Sequence, residues 1–144
     1  MKVNKILVPV VGNRIDDEAV LLACAVARRQ KAKVYVIYVI EVKRSLPLDA
    51  EIHADIEKGE LVLDRADRLA GDNDATVETE LLQAREIGPA IVDEAVERGV
   101  DVVIMGAPYR KQFGEFTLGS VANYVLKNSP CAVWVCREAI SSVD

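Results

Sequence analysis

The sequence predicts an α/β fold: a doubly wound, five-stranded parallel sheet with helices on both faces. Five short apolar segments alternate with four amphipathic ones along the chain. The first of them, residues 5–10, is almost wholly apolar, as expected of a strand that is covered on both faces. Strands separated by helices pair in parallel through right-handed crossovers, which place helices on both sides of the sheet.

The first half of the chain predicts two strand–helix units. After the strand at residues 5–10, Asn13 and the acidic residues 16–18 mark the start of a helix. The second strand, residues 33–40, is rich in β-branched and aromatic side chains. A helix follows over about residues 50–70, and a glycine at position 59 weakens it by about 1 kcal/mol relative to alanine.

The second half repeats this alternation. Apolar and acidic side chains alternate in the third strand, residues 76–82, so one of its faces is exposed to solvent and an edge or near-edge position is expected. The third helix ends at Gly99 and the fourth before Pro130, both typical helix terminators. The remaining predicted segments are a helix at residues 86–98, a strand at 100–105, a loop at 106–116, a helix at 117–128 and a strand at 132–136.

Composition excludes several classes of function. The 144 residues have the size of one domain, so residues 1–144 are predicted to form a single domain, and 51% hydrophobic residues can fill its core. A net charge of −5 without a long basic run gives no support for nucleic-acid binding. No segment reaches the roughly 18 apolar residues that span a bilayer, and no signal peptide is evident, so a cytoplasmic location is expected.

Metal binding and catalysis also find little support. Cys131 and Cys136 are five residues apart and would point to opposite faces of a strand, so the cysteines, with Cys24, are expected to be buried apolar side chains. The carboxylates of residues 16–18 are explained by a helix start better than by a metal cluster. The single histidine, His53, lies on a predicted surface helix, which leaves no means of building a catalytic triad.

Residues 104–121 predict an anion-binding site. A buried strand leads into a glycine-bearing loop and then into a helix that begins near Gly119 and Ser120. The free N–H groups at a helix N-terminus attract anions. In a parallel sheet, ligands bind outside the carboxyl ends of the strands where the strand order reverses.

The whole chain resembles the universal stress protein family. The resemblance rests on the first strand and on residues 119–135, which contain a Gly-Ser helix start, a Tyr-Val-Leu turn, a Ser-Pro-Cys bend and an apolar last strand. It implies a Rossmann-like sheet with strand order 3-2-1-4-5. The order would then reverse between the strands that end at Val10 and Met105.

The ATP-binding members of that family share the pattern G-x2-G-x9-G-[S/T]. This sequence matches it at the first and last glycines but has Tyr109 at the second, and Val11 stands where an aspartate is usual. The resemblance therefore implies a degenerate site for an ATP- or AMP-like nucleotide, with Mg²⁺ if the ligand is ATP. The predicted nucleotide-binding residues are Pro9, Val10, Val11, Val39, Met105, Gly106, Tyr109, Gly119, Ser120 and Val121.

These two departures have physical consequences. A tyrosine in the left-handed region costs about 1–2 kcal/mol, and the ring of Tyr109 would crowd a phosphate unless it swings outward or stacks on a base. Val11 loses a charged hydrogen bond worth roughly 1.5–3 kcal/mol. Arg110 and Lys111 add positive charge to the loop. Their role is open between contacting phosphate and lying in solvent.

The leading hypothesis is a nucleotide-binding regulatory module that signals through dimer or partner contacts. The alternatives are a dimeric interaction protein that binds no nucleotide and a soluble regulatory domain of a transporter. Enzymatic activity is at most a slow ATPase, because Ser120 has no evident general base. The apolar last strand, Ala132 to Cys136, predicts a homodimer formed through that strand, and a further protein partner is expected but unidentified.

Overall fold

The computed structural model describes residues 1–112 and 114–140, and they form strands, helices and one short hairpin. The strands of the main sheet are β1 (Lys5–Pro9), β2 (Lys33–Glu41), β3 (Val77–Ala84), β4 (Val102–Ala107) and β7 (Ala132–Arg137). The hairpin strands are β5 (Lys111–Gln112) and β6 (Glu115–Phe116). The helices are α1 (Ile15–Gln30), α2 (His53–Asp72), α3 (Ile87–Arg98) and α4 (Ser120–Asn128).

The main sheet is parallel throughout and has the order β3-β2-β1-β4-β7. The predicted order of the five strands is therefore confirmed, as are the edge positions of the third and fifth strands. Leu7 of the central strand is paired with Tyr35 on one side and Val103 on the other. Because β1 has neighbours on both edges and helices on both faces, its side chains are buried almost throughout.

Two apolar cores lie on opposite faces of this sheet. On one face, Val8, Val36 and Ile104 pack with buried side chains from α1 and α2. On the other, Leu7 and Val103 pack with side chains from α3 and α4. The alternation of side chains along each strand assigns neighbouring residues to different cores, which is why the central strands must be apolar at every position.

Two glycines have structural roles in these layers. A Cβ atom on Gly59 would lie 2.4 Å from Cδ1 of Leu81 and 2.8 Å from Cδ1 of Tyr38. The glycine that weakens α2 as a helix thus lets the helix approach the sheet closely. Gly99 ends α3 with φ of +63°, and its N–H donates to carbonyls of the last turn. The predicted terminator of this helix is confirmed.

The segment between β4 and α4 differs from the predicted loop. Strand β4 continues to Ala107, α4 begins only at Ser120, and between them β5 and β6 pair antiparallel, with Lys111 opposite Phe116. Gly114 has φ of +80° at the turn of this hairpin. Two paired residues per strand are too few to give a periodic signal, so the pattern of the sequence did not reveal them.

Among the described helices, none combines the length and the apolar character that crossing a membrane requires.

Candidate functional site

The candidate site lies at the carboxyl edge of the sheet, where β1 and β4 are neighbours. The chain leaves β1 toward α1 on one face and leaves β4 toward α4 on the other. The two connections diverge, so a crevice opens between them. Within it, the backbone N–H groups at the start of α4 and those of the turn after β1 face very different surroundings.

The start of α4 is open. Gly119 precedes the helix in an extended conformation, with φ of −68° and ψ of 164°, and no side chain within residues 1–112 and 114–140 caps the first N–H groups. A Cβ atom at Gly119 would lie 4.0 Å from Nη1 of Arg110. Ser120 is exposed. The helix N-terminus and one guanidinium group therefore face the same space, an arrangement suited to an anion.

A cavity of about 410 Å³ adjoins this helix start. Ser120 and Val121 line one part of it, and Glu41 and Glu86 line another. The carboxylates were not recognised from the sequence, although each lies next to the carboxyl end of a strand, where parallel strands bring their ends together. The floor comes from the start of α3 and from α4, namely Ile87, Gly88, Pro89 and Tyr124. The cavity thus offers an anion-attracting end, an apolar floor and two hydrogen-bond acceptors.

The predicted apolar site residues divide between the two faces of the sheet. Val39 and Met105 are buried in the core below α3 and α4, and Val121 packs against that core. Val10 belongs instead to the core below α1 and α2, and its N–H donates to the carbonyl of Ile37 at 2.9 Å. The fold therefore gathers Val39, Met105 and Val121 on the face that carries the open helix start. Pro9 is buried at the end of β1.

Gly106, the first glycine of the pattern, lies within β4 against α1. A Cβ atom there would be 2.8 Å from Cγ2 of Ile15 and 3.1 Å from the carbonyl carbon of the same residue. The backbone at Gly106 is not in the left-handed region. Close packing between β4 and the start of α1 is thus enough to require glycine at this position.

Tyr109, at the second glycine position, is directed toward β6 and β7. Its ring stacks on Phe116 with centroids 5.6 Å apart, and the guanidinium of Arg137 lies 5.3 Å from the Tyr109 centroid. Its N–H donates to Oε1 of Glu138 at 3.1 Å. The described non-glycine residues with positive φ are Lys31 and Asp74. Tyr109 therefore escapes the expected left-handed strain, and the swung-out alternative describes its ring.

Val11, where an aspartate was expected, is 43% exposed. The N–H groups of Val11, Gly12 and Asn13 all donate to Oδ2 of Asp16, at 3.1, 2.7 and 3.0 Å. Burial raises the pKa of Asp16, and these three hydrogen bonds oppose that rise. Asp16 lies in the first turn of α1, as predicted, and its carboxylate turns back to close the loop after β1. The sequence signal for this loop closure was the short spacing between Asp16 and the turn residues Gly12 and Asn13.

Comparison with known proteins decides the family. The model of the "Universal stress protein family" matches residues 2–137. The chain belongs to the universal stress protein family. It is 30% identical over 141 residues to universal stress protein MJ0531 of Methanocaldococcus jannaschii, covering 94% of this chain and 82% of that protein.

Solved universal stress proteins share the fold. A universal stress protein from Archaeoglobus fulgidus superposes with a TM-score of 0.79 at 24% identity, covering 92% of this chain and 97% of that one. Another structure, a universal stress protein from the same organism in complex with dAMP, gives 0.74 at 23% identity, covering 94% and 98%. Both alignments span nearly the whole of each chain, so this universal stress protein has the complete family fold.

Metal-ligating groups are dispersed in this universal stress protein. No cluster of three or more His, Cys, Asp or Glu side chains suited to a metal ion occurs within residues 1–112 and 114–140. Cys24 is buried, whereas Cys131 and Cys136 are half-buried. Burial raises the pKa of all three thiols, which favours the unreactive protonated form.

Proposed function

We propose that this universal stress protein is a regulatory module that binds an adenine nucleotide over the start of α4. The observation that carries the proposal is the uncapped helix N-terminus at Gly119 with Nη1 of Arg110 beside it. A phosphate placed there would accept hydrogen bonds from backbone N–H groups and pair with the guanidinium.

The adjoining cavity supports a nucleotide over a simple anion. Its apolar floor at Ile87 and Pro89 can pack against a base, and Glu41 and Glu86 can accept hydrogen bonds from sugar hydroxyls or an exocyclic amino group. The dAMP complex of the Archaeoglobus fulgidus protein adds support from a protein of the same fold. Because both carboxylates repel added phosphate charge, we expect AMP to bind at least as tightly as ATP with Mg²⁺.

Isothermal titration calorimetry with AMP, ATP with Mg²⁺, and adenosine tests this proposal. We expect AMP to bind and adenosine to bind about tenfold or more weakly, since adenosine lacks the anion. Arg110→Ala should weaken AMP binding about tenfold, whereas the matched surface variant Arg68→Ala, on α2, should not change it. Absence of binding at millimolar AMP would refute the proposal.

Signalling would pass through contacts with a second protein chain, and β7 is the surface we propose for a homodimer. This strand lies at the edge of the sheet, and its residues Ala132 to Cys136 are half-buried. An edge strand presents unpaired backbone groups that a second copy can complete. Sedimentation equilibrium at micromolar concentration should give a dimer, and a monomer would contradict this part of the proposal.

The second candidate function is a dimeric interaction protein that binds no nucleotide. It is favoured by the cluster of Tyr109, Phe116 and Arg137, which fixes the segment before α4 against the end of β7. A loop fixed in this way has less freedom to close over a ligand. Mass spectrometry of the purified protein separates the two functions, because a stoichiometric bound nucleotide would exclude the second.

A further inference from the structure

A second cavity lies across the sheet from the proposed nucleotide site. It has a volume of about 300 Å³ and opens between the start of α1 and the middle of α2. Its apolar lining comes from Val10 and Val20 in the core and from Leu61, Val62 and Ala66 on α2. This volume and lining are those of a site for a small ligand with an apolar body.

The charged groups around this second cavity differ in whether they have ionic partners. Asp17 is paired with Arg65, whose Nε lies 3.0 Å from Oδ1. Arg14 also lines the cavity, and its Nη2 lies 3.8 Å from Oε2 of Glu138. Asp16 forms no ion pair with any residue of the described part of the chain. The cavity therefore contains a carboxylate that forms no ion pair within residues 1–112 and 114–140, although Arg14 and Arg65, each paired with another carboxylate, also line it.

The two oxygens of the Asp16 carboxylate differ in their hydrogen bonds. Oδ2 of Asp16 accepts hydrogen bonds from all three backbone N–H groups of the turn after β1. Oδ1 has no hydrogen-bond partner among residues 1–112 and 114–140, although the side chain lines the cavity and Asp16 is only 7% exposed. This oxygen is free to accept a hydrogen bond from a group in the cavity, and a charged donor would also balance the negative charge of Asp16.

We propose that this second cavity binds a small primary amine, with its ammonium group on Oδ1 of Asp16 and its apolar body against Val20, Leu61 and Val62. The site is separate from the proposed nucleotide site because the sheet lies between the two cavities. It therefore stands or falls independently of nucleotide binding. A carboxylate ligand does not fit, since its charge would face that of Asp16.

Three probes of nearly equal shape test the ligand class: benzylamine, benzyl alcohol and benzoate. Binding is followed at neutral pH by ¹H–¹⁵N NMR titration of the full chain, in a buffer without amines. We expect benzylamine to bind about tenfold more tightly than benzyl alcohol and benzoate not to bind. The shifted resonances should belong to the first turn of α1 and to α2, and saturating AMP should not displace the amine. Equal affinities for amine and alcohol, or shifts confined to α4, would overturn the proposal.

Variants then locate the site. Ala66→Leu adds volume to the lining of the cavity and should weaken benzylamine at least tenfold, whereas Ala54→Leu, at an exposed position of the same helix, should not. Asp16→Asn keeps an oxygen for the three N–H groups and should abolish the preference for amine over alcohol. Asp17→Asn should retain that preference. The assignment of the site would be contradicted if Asp16→Asn still preferred amine over alcohol, or if Ala66→Leu bound benzylamine unchanged. The two variants test the site separately, so a folding defect in one leaves the other as a test.

Discussion

Two groups of backbone N–H donors lie at the same edge of the sheet and differ in whether a side chain accepts their hydrogen bonds. After β1, the three N–H groups of Val11, Gly12 and Asn13 are all taken by Asp16 of the same chain. Before α4, the N–H groups that follow Gly119 have no side-chain acceptor in the described part of the chain. The first group is completed by the protein itself, and the second is open to an external anion. A cluster of donors therefore indicates a ligand only when the chain has not supplied its own acceptor.

The largest effect is expected from a substitution that gives the N–H groups at the start of α4 a side-chain acceptor. Gly119→Asp places a carboxylate at the N-cap, where φ of −68° and the free space admit a side chain. We expect AMP affinity to fall by at least about 100-fold, because the new charge repels phosphate and occupies its donors. Stability should rise by a few tenths of a kcal/mol. Calorimetry and urea unfolding measure both effects, and Gly119→Asn separates the cap from the charge. Unchanged AMP binding would place the phosphate elsewhere.

Removing the carboxylate that accepts the hydrogen bonds of the first group gives the next largest effect. Asp16→Ala leaves three N–H groups without their acceptor, so the free energy of unfolding should fall by about 1.5–3 kcal/mol. Glu18→Ala, an exposed carboxylate of the same helical turn, is the control and should have a smaller effect. Urea denaturation at neutral pH measures the difference. If both variants lose the same stability, the Asp16 hydrogen bonds contribute no more than an ordinary helix-start charge.

The two glycines of the pattern should also differ. Gly106→Ala brings Cβ within 2.8 Å of Ile15 and should destabilise the protein by about 1–3 kcal/mol through overpacking. Gly119→Ala meets no such contact and should change stability by less than about 0.5 kcal/mol. Thermal and urea unfolding measure both. Ile15→Ala removes both Cγ atoms that the new Cβ would meet, so Gly106→Ala/Ile15→Ala should lose less stability than the sum of the two single variants. Additive losses would show that the strain has another source.

A smaller effect is expected from the aromatic pair that fixes the hairpin. Tyr109 and Phe116 are stacked at 5.6 Å, so a double-mutant cycle of their alanine variants should give a coupling of about 0.5–1.5 kcal/mol. Hydrogen exchange should accelerate at residues 110–112 and 114–117 in each single variant while β1 and β2 stay protected. A coupling near zero would mean that the stacking does not hold the hairpin.

The smallest effect is a pH dependence of opposite sign at two aspartates. Burial raises the pKa of Asp16 above 3.8, so its contribution to stability falls as pH rises from 3.8 through the higher folded value. Hydrogen bonds from the N–H groups of Asn4 and Lys5 lower the pKa of Asp101, so its contribution is complete above 3.8 and is lost as pH falls through the lower folded value. Urea unfolding from about pH 3 to 7 should show each trend disappear in Asp16→Asn and Asp101→Asn, respectively. If the two substitutions changed the pH dependence of stability in the same direction, the opposite signs assigned to Asp16 and Asp101 would be contradicted.

Much of the fold and part of the site were predictable from the sequence. The apolar run of β1 and the wet face of β3 indicated a central and an edge strand, because side-chain periodicity reports which faces are covered. The start of α4 at Gly119 and Ser120 was visible within a few residues. The hairpin of β5 and β6 was not, since two paired residues per strand give no periodic signal in the sequence.

What the sequence determined by itself was the layered parallel sheet and the helix start at its carboxyl edge, because local periodicity and turn residues encode both. Only the tertiary structure decided how individual residues there are used. It showed that Gly106 packs on Ile15, that Tyr109 turns toward Phe116, and that Asp16 closes the turn after β1. The role of Gly106 depends on the distance between two segments that are far apart in the chain. The roles of Tyr109 and Asp16 depend on the direction in which a short loop turns the side chain. A glycine or a carboxylate carries no local mark of whether its partner is a ligand or the protein itself.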